Sequence, residues 1–163
     1  MKTLLLTIIF SCVAYIGYWL KMNFKKKHLF LEDVCNFLNC LSIEMSFLKS
    51  NLIEIVSSFK LNCKTDFKLC LGQYEMFLLK STIDEKSFQT NYKKLDQEII
   101  LKLNNFLSDL GSTDIANQLE MIKNYKNYFE NKKDEYEKKY NKYGNLIFKL
   151  FILFGLVIVI LFF

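Results

Sequence analysis

Two apolar runs frame the chain, and a polar, rhythmically apolar middle lies between them. From Leu4 to Leu20 only Thr7, Ser11 and Gly17 interrupt the first run, and none of them is charged. Leu146 to Phe163 is eighteen residues with a single charge, Lys149. At a rise of about 1.5 Å per residue, either run spans roughly 25–27 Å as a helix, close to the thickness of a bilayer core. The pattern predicts membrane-spanning helices over 1–20 and 144–163. Tyr18 and Trp19 close the first run and Tyr140 and Tyr143 precede the second, where amphipathic aromatics meet headgroups.

In the middle, Phe30, Val34, Phe37, Leu41, Met45, Leu48, Leu52, Ile55 and Phe59 recur by threes and fours, which is one face of a helix. Lys49-Ser50-Asn51 carries turn chemistry, and Asn51 followed by Glu54 fits a helix start of the capping-box kind. A first helix is therefore expected to end near Leu48 and a second to begin near Leu52. A third is expected from Asp66 to Leu79 with Phe67, Cys70, Leu71, Tyr74 and Phe77 inward. A short helix is expected from Asp84 to Lys94, and another from Gln97 to Leu110. Gly111 stops that helix, Asp114 starts the next by capping free N–H groups, and the last runs from Ile115 to the end with a weak point at Gly144. The fold class read from this is all-α: a bundle of about six helices over 21–143, flanked by the two spans.

Composition sharpens the picture. The 163 residues include no proline, so long helices need not break, and many-turned β architectures are excluded. All 22 basic residues are lysine, which removes the side chain best suited to bidentate phosphate or base recognition; nucleic acid is not an expected partner. Lys21, Lys25, Lys26 and Lys27 follow the first span, and Lys138, Lys139 and Lys142 precede the second, while only Lys2 lies outside the first. The positive-inside rule then puts the middle in the cytoplasm and both termini across the membrane, with these lysines against the lipid surface. Nothing like a small-residue cleavage site follows the first run, so a retained anchor is expected. Residues 28–131 hold 11 lysines against 14 acids, a mildly acidic domain suited to a basic partner.

Chemistry is not visible. Neither a phosphate-binding loop nor a dinucleotide fingerprint is present. His28, the one histidine, sits in the lysine cluster without a companion for nucleophilic catalysis. Asp84-Glu85 reads as a helix start and Asp134-Glu135 as a solvated face. Cys12, Cys35, Cys40, Cys63 and Cys70 lack zinc-site spacing and read as structural thiols in a reducing compartment. A non-enzyme with no cofactor, no metal and no small-molecule substrate is expected.

Several stretches, taken in order, resemble one family. Leu41-Ser42-Ile43-Glu44-Met45-Ser46-Phe47 is similar to an L-x-x-E-[IM]-x-[YF] segment, and Ser50-Asn51-Leu52-Ile53-Glu54-Ile55 to the T-P-L-x-E-A that follows it. Leu110-Gly111-Ser112-Thr113-Asp114 with Gln118 resembles L-G-x-x-D-x-x-x-Q, and the stretch from Tyr136 through Leu146 resembles that family's closing segment. The family is stage III sporulation protein AB of endospore-forming bacteria. The chain departs from it at Ser42, where a first Glu is usual, and at Asn51, where Pro is usual.

The resemblance implies a protein of the sporulation channel complex in the mother-cell membrane, with other membrane proteins of that complex as neighbours. It implies a cytoplasmic domain similar to the inner-membrane platform protein of type II secretion and type IV pilus machines. It also implies a partner, the cytoplasmic ATPase encoded nearby, with Glu44 and Glu54 in the acidic docking motif. Two readings from other classes stand beside it: a two-span membrane scaffold, and a helical sensor module outside the cell.

Overall fold

The stretch 21–29 contains neither glycine nor proline, and its lysines are good helix formers. In the computed structural model the first apolar run and the first amphipathic helix are accordingly one element. Helix α1 runs 42 residues, Lys2–Ile43, and continues into a π-helical turn, Glu44–Leu48. The structure describes residues 2–48, 51–80, 87–90, 92 and 94–162, leaving aside the side chains of 2, 3 and 48. Lys49-Ser50 and Asp84-Glu85 lie outside the described residues. After α1 come α2 Leu52–Asn62, α3 Phe67–Lys80, α4 Gln97–Asp109 and α5 Ile115–Lys138. A second π-helical stretch, Lys139–Gly144, ends at the glycine marked as a weak point, and α6 is Asn145–Phe162. There is no strand among the described residues, and the fold is all-α.

The chain divides into two compact units, 1–28 with 133–163, and 29–132. In the second unit the expected stripe is the core. Phe30, Val34, Phe37 and Leu41 are buried, and Leu31 and Leu38 widen the face. Phe67, Cys70, Leu71 and Tyr74 of α3 and Ile99, Leu103, Phe106 and Leu107 of α4 join them. Phe67 stands edge-on to both Phe30 (5.4 Å between centroids) and Phe37 (5.7 Å), so two aromatics of α1 grip one of α3. Asp33 fixes the α2–α3 connection: its Oδ2 accepts from Thr65 Oγ1 (2.7 Å), Thr65 N (3.2 Å) and Cys63 Sγ (3.2 Å).

Of the helix expected from Asp84 to Lys94, the described residues 87–90, 92 and 94 are non-helical, as are 95 and 96 after it; the rest of that span lies outside the described residues. Side chains of the flanking helices take the place of helical hydrogen bonds. Ser108 Oγ accepts from Phe88 N (2.8 Å) and donates to Phe88 O (3.3 Å), one turn from Asn104, whose Oδ1 accepts from Thr90 N (3.0 Å). Thr90 Oγ1 donates to Gln73 Oε1 (2.9 Å) and accepts from Tyr92 N (3.2 Å). Phe88 and Leu95 are buried by this extended path, and the Tyr92 ring stacks on Phe30 at 4.9 Å. Tertiary partners override a marginal local preference for helix.

In the first unit the early turns of α1 lie against α6. A Cβ built on Gly17 would stand 2.7 Å from Phe151 Cβ, and one on Gly155 would stand 2.9 Å from Phe10 Cδ2. Each helix presents a phenylalanine to the other's glycine. The outward faces are apolar and exposed, as with Leu4, Ile16, Leu153 and Ile160.

Candidate functional site

The site is assembled in the second unit where the start of α2 meets the α4–α5 turn. Asn51 caps α2: its backbone is extended and its Oδ1 accepts from Ile53 N at 3.4 Å. Glu54 lies in the first turn of α2 and is exposed. At the far side of α4, Leu110 N donates to Phe106 O at 3.1 Å, and Gly111 then turns the chain with φ +87°, a conformation costly for a residue with a Cβ. Asp114 begins α5, its carbonyl accepting from Gln118 N (3.0 Å), while its Oδ1 is taken by the side-chain amide of Asn117. Gln118 is 4% exposed, and its Nε2 donates to Thr113 O at 2.7 Å.

The structure brings these separate motifs to one place. Met45 of the π-helical turn, Leu52 and Ile55 of α2, Gly111, and Gln118 of α5 line a single small cavity of about 120 Å³. Leu52 Cδ2 lies 3.7 Å from where a Cβ on Gly111 would be. Glu44 precedes Met45, is half-buried, and adds to burial in pushing the Cys40 thiol upward. Glu54, Asp109 and Asp114 are exposed, so every segment that walls the cavity also carries a carboxylate.

Sequence periodicity passed over the apolar part of this end. Phe47 is 80% exposed, Ile43 57% and Ile115 50%. Ile43 and Phe47 are four apart and off the buried stripe, a spacing that marks a second, outward face. Gln118 was visible only as a motif residue; its burial depends on the turn at Gly111.

The lysines singled out beside the spans are arranged by aromatic rings in the first unit. Lys21 Nζ lies 5.6 Å from the Tyr140 centroid and 5.8 Å from that of Phe148, and its stem crosses Gly144, where a Cβ would be 3.2 Å from Lys21 Cγ. Lys27 and Lys139 sit 5.3 and 4.9 Å from the Tyr136 ring, and Lys142 is 5.7 Å from Tyr143. Lys26 and Lys138 are exposed and Lys25 is half-buried. His28 Nδ1 lies 3.3 Å from Lys133 O, a structural contact.

The five cysteines are free thiols; Cys35, Cys63 and Cys70 are buried, and burial raises the pKa of Cys63 and Cys70. Among the described residues no group of three or more His, Cys, Asp or Glu side chains is placed to hold a metal ion.

Two helices, within Leu4–Phe47 and Ile115–Phe162, are long and apolar enough to cross a membrane. With an all-α unit between them, this is the architecture of a small membrane-associated helical protein. The chain belongs to the family described as stage III sporulation protein AB, which it matches over residues 2–163, and its role is accordingly in sporulation. No curated protein and no solved structure matches it.

Proposed function

We propose that the protein is a membrane-anchored adaptor of the sporulation channel complex that docks a cytoplasmic ATPase to the mother-cell membrane. In this reading both termini lie across the membrane, residues 21–143 face the cytoplasm, and the helical unit serves as a platform like that of secretion machines. One observation carries it. Gly111 and Gln118 line one cavity with Met45, Leu52 and Ile55, while Glu44, Asn51 and Glu54 adjoin those lining residues in the chain and Asp114 O accepts from Gln118 N; Ile43 and Phe47, exposed, lie within a turn of Met45. An apolar centre bordered by carboxylates is the pattern of a protein-docking patch for a basic partner. The ring-held lysines are matched to anionic headgroups, which anchors the first unit at the bilayer.

The test is Glu44→Lys in the full chain, reconstituted in vesicles with the purified ATPase. Reversing a charge within a docking patch costs on the order of 2 kcal/mol or more, about thirtyfold in affinity. Co-sedimentation should fall accordingly, with helical content unchanged, whereas Glu120→Lys on exposed α5 surface should bind as the parent does. Equal binding by the two variants overturns the docking face.

A further inference from the structure

Helix α3 is apolar on two opposite faces, and the core of its unit takes up one of them. Phe67, Cys70, Leu71 and Tyr74 are buried. On the far side Leu69 is 62% exposed, Met76 60% and Leu79 68%, with Gly72 between the first two. Positions 69, 72, 76 and 79 are three, four and three residues apart, the spacing of a seam that packs against another helix. Gly72 adds an independent observation. Glycine is the poorest helix former after proline, yet this one sits inside a regular helix. Packing within the chain does not require it, because the nearest atom that a Cβ would meet is Lys60 Cδ, at an ordinary 4.0 Å. A bare Cα on an exposed apolar seam leaves room for the backbone of a second helix to come close.

We infer that this seam is a self-association surface, on which α3 of one copy crosses α3 of a second copy at Gly72 with both helices running the same way. A two-fold pair sets like against like, so Leu69, Met76 and Leu79 meet their counterparts while the two glycines let the backbones approach. Charge complementarity selects a second copy of this chain as the occupant. By helical spacing, Lys68 and Glu75 edge the seam on one side, and Gln73 and Lys80 edge it on the other. In the same-direction pair Glu75 comes opposite the partner's Lys80, and Lys68 opposite the partner's Gln73, so no like charges are opposed. Glu75 already accepts from Ser57 at Oε1 and from Lys60 at Oε2, and a carboxylate has lone pairs for a third donor. A basic protein would meet Lys68 and Lys80 here, and an anionic lipid surface would meet Glu75. A rim that carries both signs in this order is matched by its own copy.

The test uses the full chain in vesicles, with Cys12 and Cys40 replaced by serine and the buried Cys35, Cys63 and Cys70 retained. Met76→Cys places a thiol beside the two-fold axis, and Leu101→Cys places one on the exposed surface of α4 for comparison. Brief oxidation should cross-link Met76→Cys copies about tenfold faster than Leu101→Cys copies, because pairing raises the local thiol concentration. Gly72→Ala in the Met76→Cys chain gives a second readout whose two parts have opposite signs. Alanine favours helix and its methyl has room in the single chain, so the unfolding temperature should rise. The same methyl forces the crossing apart, so cross-linking should slow about tenfold. Cross-linking at Met76 no faster than at Leu101, or unchanged by Gly72→Ala, overturns the pair. A bimane label on Met76→Cys separates the other occupants. A blue shift that persists on dilution into excess lipid assigns the seam to the bilayer, and one that appears only with the ATPase assigns it to that protein; either result overturns the pair.

Discussion

The paired glycine notches of the first unit make unequal demands, and that inequality can be measured. At Gly17 a new Cβ would meet Phe151 Cβ at 2.7 Å and Cγ at 3.1 Å, atoms that move only with the helix backbone or a change of rotamer at Phe151. Carbon atoms pack at about 3.5–4.0 Å, so Gly17→Ala demands roughly an ångström of helix separation along the whole contact. At Gly155 the obstacles are Phe10 Cδ2 at 2.9 Å and Cε2 at 3.2 Å, the edge of a ring that can swing about χ1 and χ2, with Val13 Cγ1 at an ordinary 3.6 Å behind it. Overpacking that cannot relax costs about 1–3 kcal/mol, and overpacking that relaxes costs a fraction of that. Gly17→Ala should therefore destabilise the helix pair by about 2 kcal/mol and Gly155→Ala by less than about 1 kcal/mol. The assay is unfolding of the purified full chain in mixed micelles of rising sodium dodecyl sulfate, read by energy transfer between labels near Tyr15 and Phe154. Equal losses at the two sites, or the larger loss at Gly155, would refute the argument that backbone-proximal contacts decide the cost.

Three other outcomes are expected. Tyr74 is wholly buried edge-on to Phe88 at 5.2 Å, and its hydroxyl has no hydrogen-bond partner among the described residues, so Tyr74→Phe should raise stability by about 1 kcal/mol in thermal unfolding. Glu75 is held below the ordinary carboxylate range by hydrogen bonds from Lys60 and Ser57. Its stabilisation is complete above that range and is lost as pH falls through the lowered folded-state value, so Glu75→Gln should flatten the acid limb of stability against pH. Ser112 is exposed, whereas Cys35, Cys63 and Cys70 are buried and would resist labelling from either side. In a chain with Cys12 and Cys40 replaced by serine, Ser112→Cys should react with an impermeant maleimide only after the cells are opened; reaction in intact cells would put the unit outside.

The helical class, the two apolar end helices and most of the core are legible in the amino-acid pattern alone. Residues such as Phe30, Val34, Phe37 and Leu41 can be recognised one at a time, because a 3.6-residue period needs only local information. The caps at Asn51 and Gly111 were legible for the same reason. Residues 87–90 were not: their path is decided by Gln73, Asn104 and Ser108, which lie far away in sequence and whose hydrogen bonds outweigh a weak local preference. Nor could periodicity show that Met45, Leu52, Gly111 and Gln118 share one cavity, or that Gln118 is buried. Those facts depend on the start of α2 meeting the α4–α5 turn. Such a meeting is a property of how whole helices pack, and no window of neighbouring residues contains it.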